Sequence, residues 1–212
     1  MNLFELSYEY FKELFKDAKC ELNFNNSFEL LIAVILSAQC TDKRVNEVTA
    51  NLFKIAKTPQ DFIELGQDKL ERLIYSCGFY HNKAKNIINC CKQILNNFNG
   101  VVPNNVNDLQ KLDGVGRKTA NVVYATAFNG DAIAVDTHVF RVSNRLGLAN
   151  AKNVKQTEIQ LMNIVPQNRW SEYHYYLVLF GRYYCKARNP ECNTCKLKDN
   201  CKYFKEKNNV CR

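Results

Sequence analysis

Apolar residues recur at helical spacing along most of the chain. Positions 4, 8, 11, 14 and 15 predict that residues 1–21 form an amphipathic helix. Residues 28–38 are apolar almost throughout, which predicts a buried core helix with Ser27 as its cap. The polar stretch Gln39-Cys40-Thr41-Asp42 then leads into a helix over residues 43–56. Thr58-Pro59 starts a further segment with a short helix over 61–66, and residues 68–76 lead to Gly78, a helix stop. A stripe at Ala84, Ile87, Ile88, Cys91 and Leu95 predicts a helix over 81–98 that Asn99-Gly100 closes. Apolar positions 106, 109 and 112 give one short helical face, and 117–127 reads as the next helix. Residues 132–136 resemble a strand in composition but are read as an extended connector. Helices follow over 137–146, 154–165 and 170–184, the last apolar almost all round. The expected fold class is all-α.

Composition narrows the setting. With 212 residues and 46% apolar content the chain can bury one or two cores. The longest purely apolar run, residues 30–36, is too short to cross a bilayer, and residues 1–20 carry no secretory pattern. No membrane partner is expected, and the location expected is intracellular and cytoplasmic, nucleoid-associated in a bacterium. The formal charge is +8, and residues 182–212 hold nine Lys or Arg against three acids, so most of the excess lies at one end. Such an end suits a polyanion or an anionic membrane surface, with a merely solvated tail as the alternative.

The candidate chemistry centres on Leu112-Asp113-Gly114-Val115-Gly116-Arg117-Lys118-Thr119. Two glycines one residue apart let the backbone come close to a ligand, and the unpaired N–H groups of the helix that follows form an anion site. An ordinary helical hairpin is the alternative. Lys118 on the first turn of that helix is a candidate nucleophile, with an ordinary solvated lysine as the alternative. From a reference pKa of about 10.4, a helix dipole worth about 0.3–1 kcal/mol moves a lysine by less than one unit, so a nucleophilic Lys118 is expected to be desolvated as well, in a cleft. Asp136 is its candidate carboxylate partner, with a helix N-cap as the alternative role. His138, two residues on, is a candidate for contact with a bound polyanion or with the active site, with a structural histidine as the alternative.

Ten cysteines without an export signal point away from a disulfide framework. Cys185, Cys192, Cys195 and Cys201 form the spacing C-x6-C-x2-C-x5-C, which suits structural zinc or an iron–sulfur cluster. A loop closed at both ends by metal would present Lys186 and Arg188 to phosphates. Cys20, Cys40, Cys77, Cys90, Cys91 and Cys211 have no metal-like spacing and are read as small buried hydrophobes or free thiols.

These strings together, with V-D-T-H-V at residues 135–139, resemble the DNA glycosylases related to endonuclease III. The resemblance runs in family order from Leu36 to Cys201. It implies a helix-hairpin-helix glycosylase fold of two helical domains with a cleft between them: a six-helix domain over 22–132 with the hairpin at about 106–128, and a discontinuous iron–sulfur domain from 1–21 and 133–212. It implies a 4Fe-4S cluster on the four cysteines, catalytic roles for Lys118 and Asp136, and DNA contacts by Gly114, Val115, Gly116, Arg117 and Thr119. It points to Gln39 and Phe79 as side chains inserted where a nucleotide leaves the stack. Leu is more usual than Phe79, and a small apolar residue is more usual than Cys40. The implied activity is a bifunctional glycosylase and abasic-site lyase that removes oxidised or saturated pyrimidines from double-stranded DNA, working as a monomer. An adenine glycosylase lacking the lysine and a non-catalytic DNA-binding module are the rivals.

Overall fold

The computed structural model describes residues 1–209, and Cys211 lies outside the described residues. The described residues form helices and connectors with no strand. The chain divides into two compact units, one of residues 20–130 and the other of residues 1–19 with 131–212.

The unit of residues 20–130 is built around α2 (Ser27–Ser37), where positions 28–36 are all buried. The unit also contains α3 (Asp42–Ile55), α4 (Pro59–Leu65), α5 (Gln67–Ile74), α6 (Tyr80–Phe98), α7 (Val106–Leu109) and α8 (Arg117–Phe128), with a short 3-10 turn at Tyr75–Cys77, and α2 packs on α3, α6 and α8. Leu30, Leu31, Ile32 and Leu36 are wholly excluded from solvent, each worth about 1.5–3 kcal/mol of transfer free energy. The cap of α2 is Asn26 rather than Ser27. The Asn26 side chain accepts from the Glu29 N–H, and the Glu29 carboxylate accepts from the Asn25 N–H and side-chain amide at 2.7 and 2.8 Å. Asn reaches the third N–H of the helix as well as Ser does, so the first of two capable residues sets the boundary.

The other unit contains α1 (Leu3–Leu14), α9 (Thr137–Leu146), α10 (Val154–Ile164), α11 (Trp170–Tyr183) and α12 (Lys202–Asn209). α1 is shorter than the stretch expected from its stripe: it stops at Phe15, whose N–H still bonds to the Phe11 carbonyl. Its buried face sets Phe11 against Phe180 with ring centroids 4.6 Å apart and Ser7 Oγ 2.6 Å from the Tyr173 hydroxyl. Residues 132–135 are buried and form neither helix nor strand. α11 lies so close to α9 that a Cβ on Gly181 would stand 2.8 Å from the His138 Cβ.

Candidate functional site

After α7 the chain closes through two tight bonds, Leu112 N–H to the Leu109 carbonyl and Val115 N–H to the Leu112 carbonyl. Gly114 takes φ +79°, and a Cβ there would stand 3.0 Å from the Asn86 Cβ, so conformation and space both require glycine. Asp113 fixes this turn to α6. Its carboxylate accepts from Asn89 Nδ2 at 2.9 Å and Gln93 Nε2 at 3.1 Å, and its N–H donates to Gln93 Oε1 at 2.8 Å. Gly116 is the N-cap of α8 and brings no capping side chain, which leaves the helix start approachable by an anion. Arg117 and Lys118 are exposed on the first turn and Thr119 is half-buried. Val115 is packed into the core, so only its backbone can meet a ligand. The desolvation expected of Lys118 is not supplied by the protein, because the side chain is exposed.

Two further segments of the same unit hold unusual backbone. Gln39 follows the end of α2 with φ 54°, and Phe79 is the N-cap of α6 with φ 47°. Residues with a Cβ seldom occupy this region, and where they do the surroundings must impose it. Both side chains are exposed, Phe79 to 65%, which sets aside core packing for the phenylalanine. Behind them lies Lys83, 6% exposed, whose ammonium donates to the Leu36 carbonyl at 2.8 Å and the Cys77 carbonyl at 2.7 Å. Burial pulls this lysine below its ordinary pKa. The Cys77 thiol beside it shares a hydrogen bond with Cys40 and is pushed up to about 11, chiefly by burial.

The carboxylate candidate belongs to the other unit. Asp136 is the N-cap of α9, and its Oδ1 accepts from the His138 and Val139 N–H groups at 2.8 Å each. His138 Nδ1 meets Arg141 at 3.2 Å. Arg141 also donates to the Gly181 carbonyl at 2.8 Å and the Cys185 carbonyl at 3.1 Å, while Arg145, one turn on, donates to the Lys186 and Ala187 carbonyls at 2.7 and 3.0 Å. The two arginines thus hold the start of the loop between Cys185 and Cys192. Lys186 reaches Glu191 at 2.8 Å across that loop, and Arg188 is exposed on it.

Cys185, Cys192, Cys195 and Cys201 line one cavity with Tyr184 and Tyr203. Among the described residues no group of three or more His, Cys, Asp or Glu side chains is placed to hold a metal ion, and four thiols around a shared cavity are a donor set that zinc and iron–sulfur clusters both use. Burial first, and then the charges of the neighbouring cysteines, push the thiols of Cys195 and Cys201 up. The backbone of Leu197 at Cys195, and of Tyr203 and Phe204 at Cys201, pulls the other way. As thiolates the four would repel one another, and a bound cationic group would offset that repulsion.

Lys118 and Asp136 lie in different units, and each is placed by a helix start. Sequence reasoning missed Lys83, Arg141 and Arg145, and named Asp113 without its bracing role. Lys83 had one visible signal: it stands at helical spacing at the head of the buried row Ile87, Cys90 and Ile94. The two arginines stand four apart on α9, which puts them on one face.

Residues 32–167 match the family of HhH-GPD superfamily base excision DNA repair proteins. The chain is 51% identical over 187 residues to endonuclease III of Haemophilus influenzae, covering 88% of each chain. It is 50% identical over 191 residues to endonuclease III of Bacillus subtilis, covering 90% of this chain and 87% of that one. The solved structure of a trapped covalent intermediate of endonuclease III with DNA, an estranged-adenine complex, superposes with a TM-score of 0.92 at 47% identity, covering 98% of this chain and 99% of that one.

Proposed function

The chain belongs to the endonuclease III family of the HhH-GPD superfamily of base excision DNA repair proteins, and on that premise we propose that it is a bifunctional DNA glycosylase and abasic-site lyase. Its substrate is double-stranded DNA carrying an oxidised or saturated pyrimidine or an abasic site. The observation that carries this reading is the exposed Lys118 on the first turn of α8, directly after a glycine turn that Asp113 braces.

Gly114, Val115 and Gly116 offer backbone N–H groups to a phosphate, with Arg117 and Thr119 beside them. This anchors the duplex while the damaged nucleotide leaves the stack, at a cost of a few kcal/mol that damage to the pair reduces. Gln39 and Phe79 fill the space left behind. The Lys118 amine, as free base, attacks C1′ of the sugar. The N-glycosidic bond breaks and the base departs with a proton, leaving a lysine-linked sugar that opens to a Schiff base. Asp136 stabilises the positive charge that develops or relays the proton, with His138 next to it. Loss of a C2′ proton then expels the 3′ phosphate by β-elimination, and water releases the enzyme. Since the protein leaves Lys118 exposed, the bound DNA itself must exclude water from the amine.

Cys185, Cys192, Cys195 and Cys201 would hold the 4Fe-4S cluster. When bound, the group supplies a covalent tie across the Cys185–Cys192 loop, and no chemical step passes through it. That loop presents Lys186 and Arg188 to phosphates. The two units correspond in this reading to the hairpin domain and the iron–sulfur domain. No helix of the described residues is long and apolar enough to cross a membrane. We place the protein where the chromosome is.

The test is borohydride trapping on duplexes containing thymine glycol or an abasic site, comparing the natural chain with Lys118→Gln. A covalent complex on both substrates that vanishes with Lys118→Gln is expected. Trapping on the abasic site alone would replace the glycosylase assignment by a lyase or by a glycosylase for another base. No trapping on either would favour a non-catalytic DNA-binding module.

A further inference from the structure

Lys83 takes no part in the chemistry above, yet it is the point where the two inserted segments meet. Leu36 lies in the last turn of α2, three residues before Gln39, and Cys77 ends the 3-10 turn two residues before Phe79. Carbonyls at helix ends lack partners within the helix, and the last turn of α2 has no basic residue of its own. The Lys83 ammonium bonds to both carbonyls across 47 and 6 residues of sequence. Its own N–H donates to the Phe79 carbonyl at 3.1 Å, the first bond of α6. One residue therefore grips Leu36, Cys77 and Phe79 together.

The grip lies where the backbone is least self-supporting. Gln39 and Phe79 both hold left-handed φ values, a state that relaxes unless neighbouring structure fixes it. Side chains that enter a base stack are pushed back by it, so the backbone beneath them must be braced at both points. Separate anchors would hold each segment alone. A shared ammonium also fixes one relative to the other.

We propose that Lys83 is a positioning residue for base extrusion, clamping the ends of α2 and the 3-10 turn so that Gln39 and Phe79 enter the duplex at a fixed separation. This rests on the assignment of Gln39 and Phe79 as the inserted pair. A purely structural lysine would stabilise the fold and affect every activity alike, whereas a positioning lysine acts only where a stack must be opened.

The experiment compares Lys83→Met, Lys83→Arg, the double variant Gln39→Ala/Phe79→Ala and the triple variant that adds Lys83→Met to it. The probes are a thymine-glycol duplex with 2-aminopurine beside the lesion, whose fluorescence rises on unstacking, and a single-stranded abasic oligonucleotide, which has no stack to open. Lys83→Met should slow single-turnover excision in the duplex by about tenfold or more and blunt the fluorescence rise, while single-strand cleavage stays within about twofold of the natural chain. Lys83→Arg, which keeps the charge and the donors, should recover most of the rate. In the chain without Gln39 and Phe79 side chains, Lys83→Met should cost nothing further. Where the methionine chain does not fold, Lys83→Gln replaces it under the same criteria.

A natural duplex rate in Lys83→Met, an equal loss on both probes, or a full additional loss in the triple variant would overturn the role of Lys83. A double variant with the natural rate and the natural fluorescence rise would instead overturn the assignment of Gln39 and Phe79. The two failures are thus distinct.

Discussion

Asp136 caps α9, and the proposed mechanism gives it a second duty that a single substitution pair would separate from the first. As N-cap of α9 its Oδ1 satisfies two N–H groups, and replacing a capping residue by alanine costs about 0.5–2 kcal/mol. Asparagine caps about as well but carries no charge. Asp136→Asn should therefore melt close to the natural chain while excision falls by about 10²-fold or more, the scale of a lost acid–base group. Asp136→Ala should lose both, as thermal melts and single-turnover assays on one preparation would show. An asparagine variant with near-natural activity would reduce Asp136 to a cap. The buried thiols give a second check. Cys77 and Cys90 are pushed up to about 11 and about 12, mainly by burial, and Cys91 is pushed up as well. Since the thiolate is the nucleophile, iodoacetamide at neutral pH should spare these three in the folded chain and label them after denaturation, as peptide mass spectrometry would show. The site residues legible in the sequence are those whose partners are close in the chain: Asp136 binds N–H groups two and three residues away. Lys83 escaped because its partners include a backbone carbonyl 47 residues off, and backbone carbonyls carry no sequence signature.

Helix order was legible because each apolar face repeats at helical spacing, whereas boundaries depend on which polar residue captures the first free N–H. Asn26 does so for α2, and the apolar stripe runs one residue past α1 to Phe15 because apolar side chains go on packing after the helix stops. The packing of α1 on α11 was not readable at all, since it joins residues more than 160 positions apart. Glu172 accepts from the Tyr8 hydroxyl at 2.6 Å and the Tyr176 hydroxyl at 2.9 Å. Burial, reinforced by Glu172, pushes Tyr8 up to about 12. In the unfolded chain a tyrosine titrates near 10, so that chain loses its proton first. The stability linked to Tyr8 is accordingly complete below about pH 10 and is lost as the pH rises toward about 12. Urea unfolding of the natural chain should show this alkaline decline, and Tyr8→Phe, less stable at neutral pH, should show a shallower one. An unchanged slope in Tyr8→Phe would assign the decline to other groups.

At the scale of the whole molecule, the formal charge of +8 matters through its position. Arg145 ties the Lys186 and Ala187 carbonyls, so the loop with Lys186 and Arg188 keeps a fixed base. Each phosphate that a cation neutralises contributes about 0.9 to the steepness of log affinity against log salt. Arg188→Ala should therefore flatten that slope by about 0.9, and the double variant with Lys186→Ala by about 1.8, at equal cost for damaged and undamaged duplexes. Lys186 is paired with Glu191 in the free chain, and both side chains are about half exposed, 47% and 45%. Glu191→Gln should tighten binding at low salt, by less than about fivefold because an exposed pair is worth at most about 1 kcal/mol. The same slope tests the cluster. Removal of iron with a chelator leaves every cation in place, so a slope that flattens to the level of the double variant would mean that the loop depends on the tie between Cys185 and Cys192. A slope that holds would mean that Arg141 and Arg145 suffice, since their bonds to the Cys185, Lys186 and Ala187 carbonyls are made by protein alone.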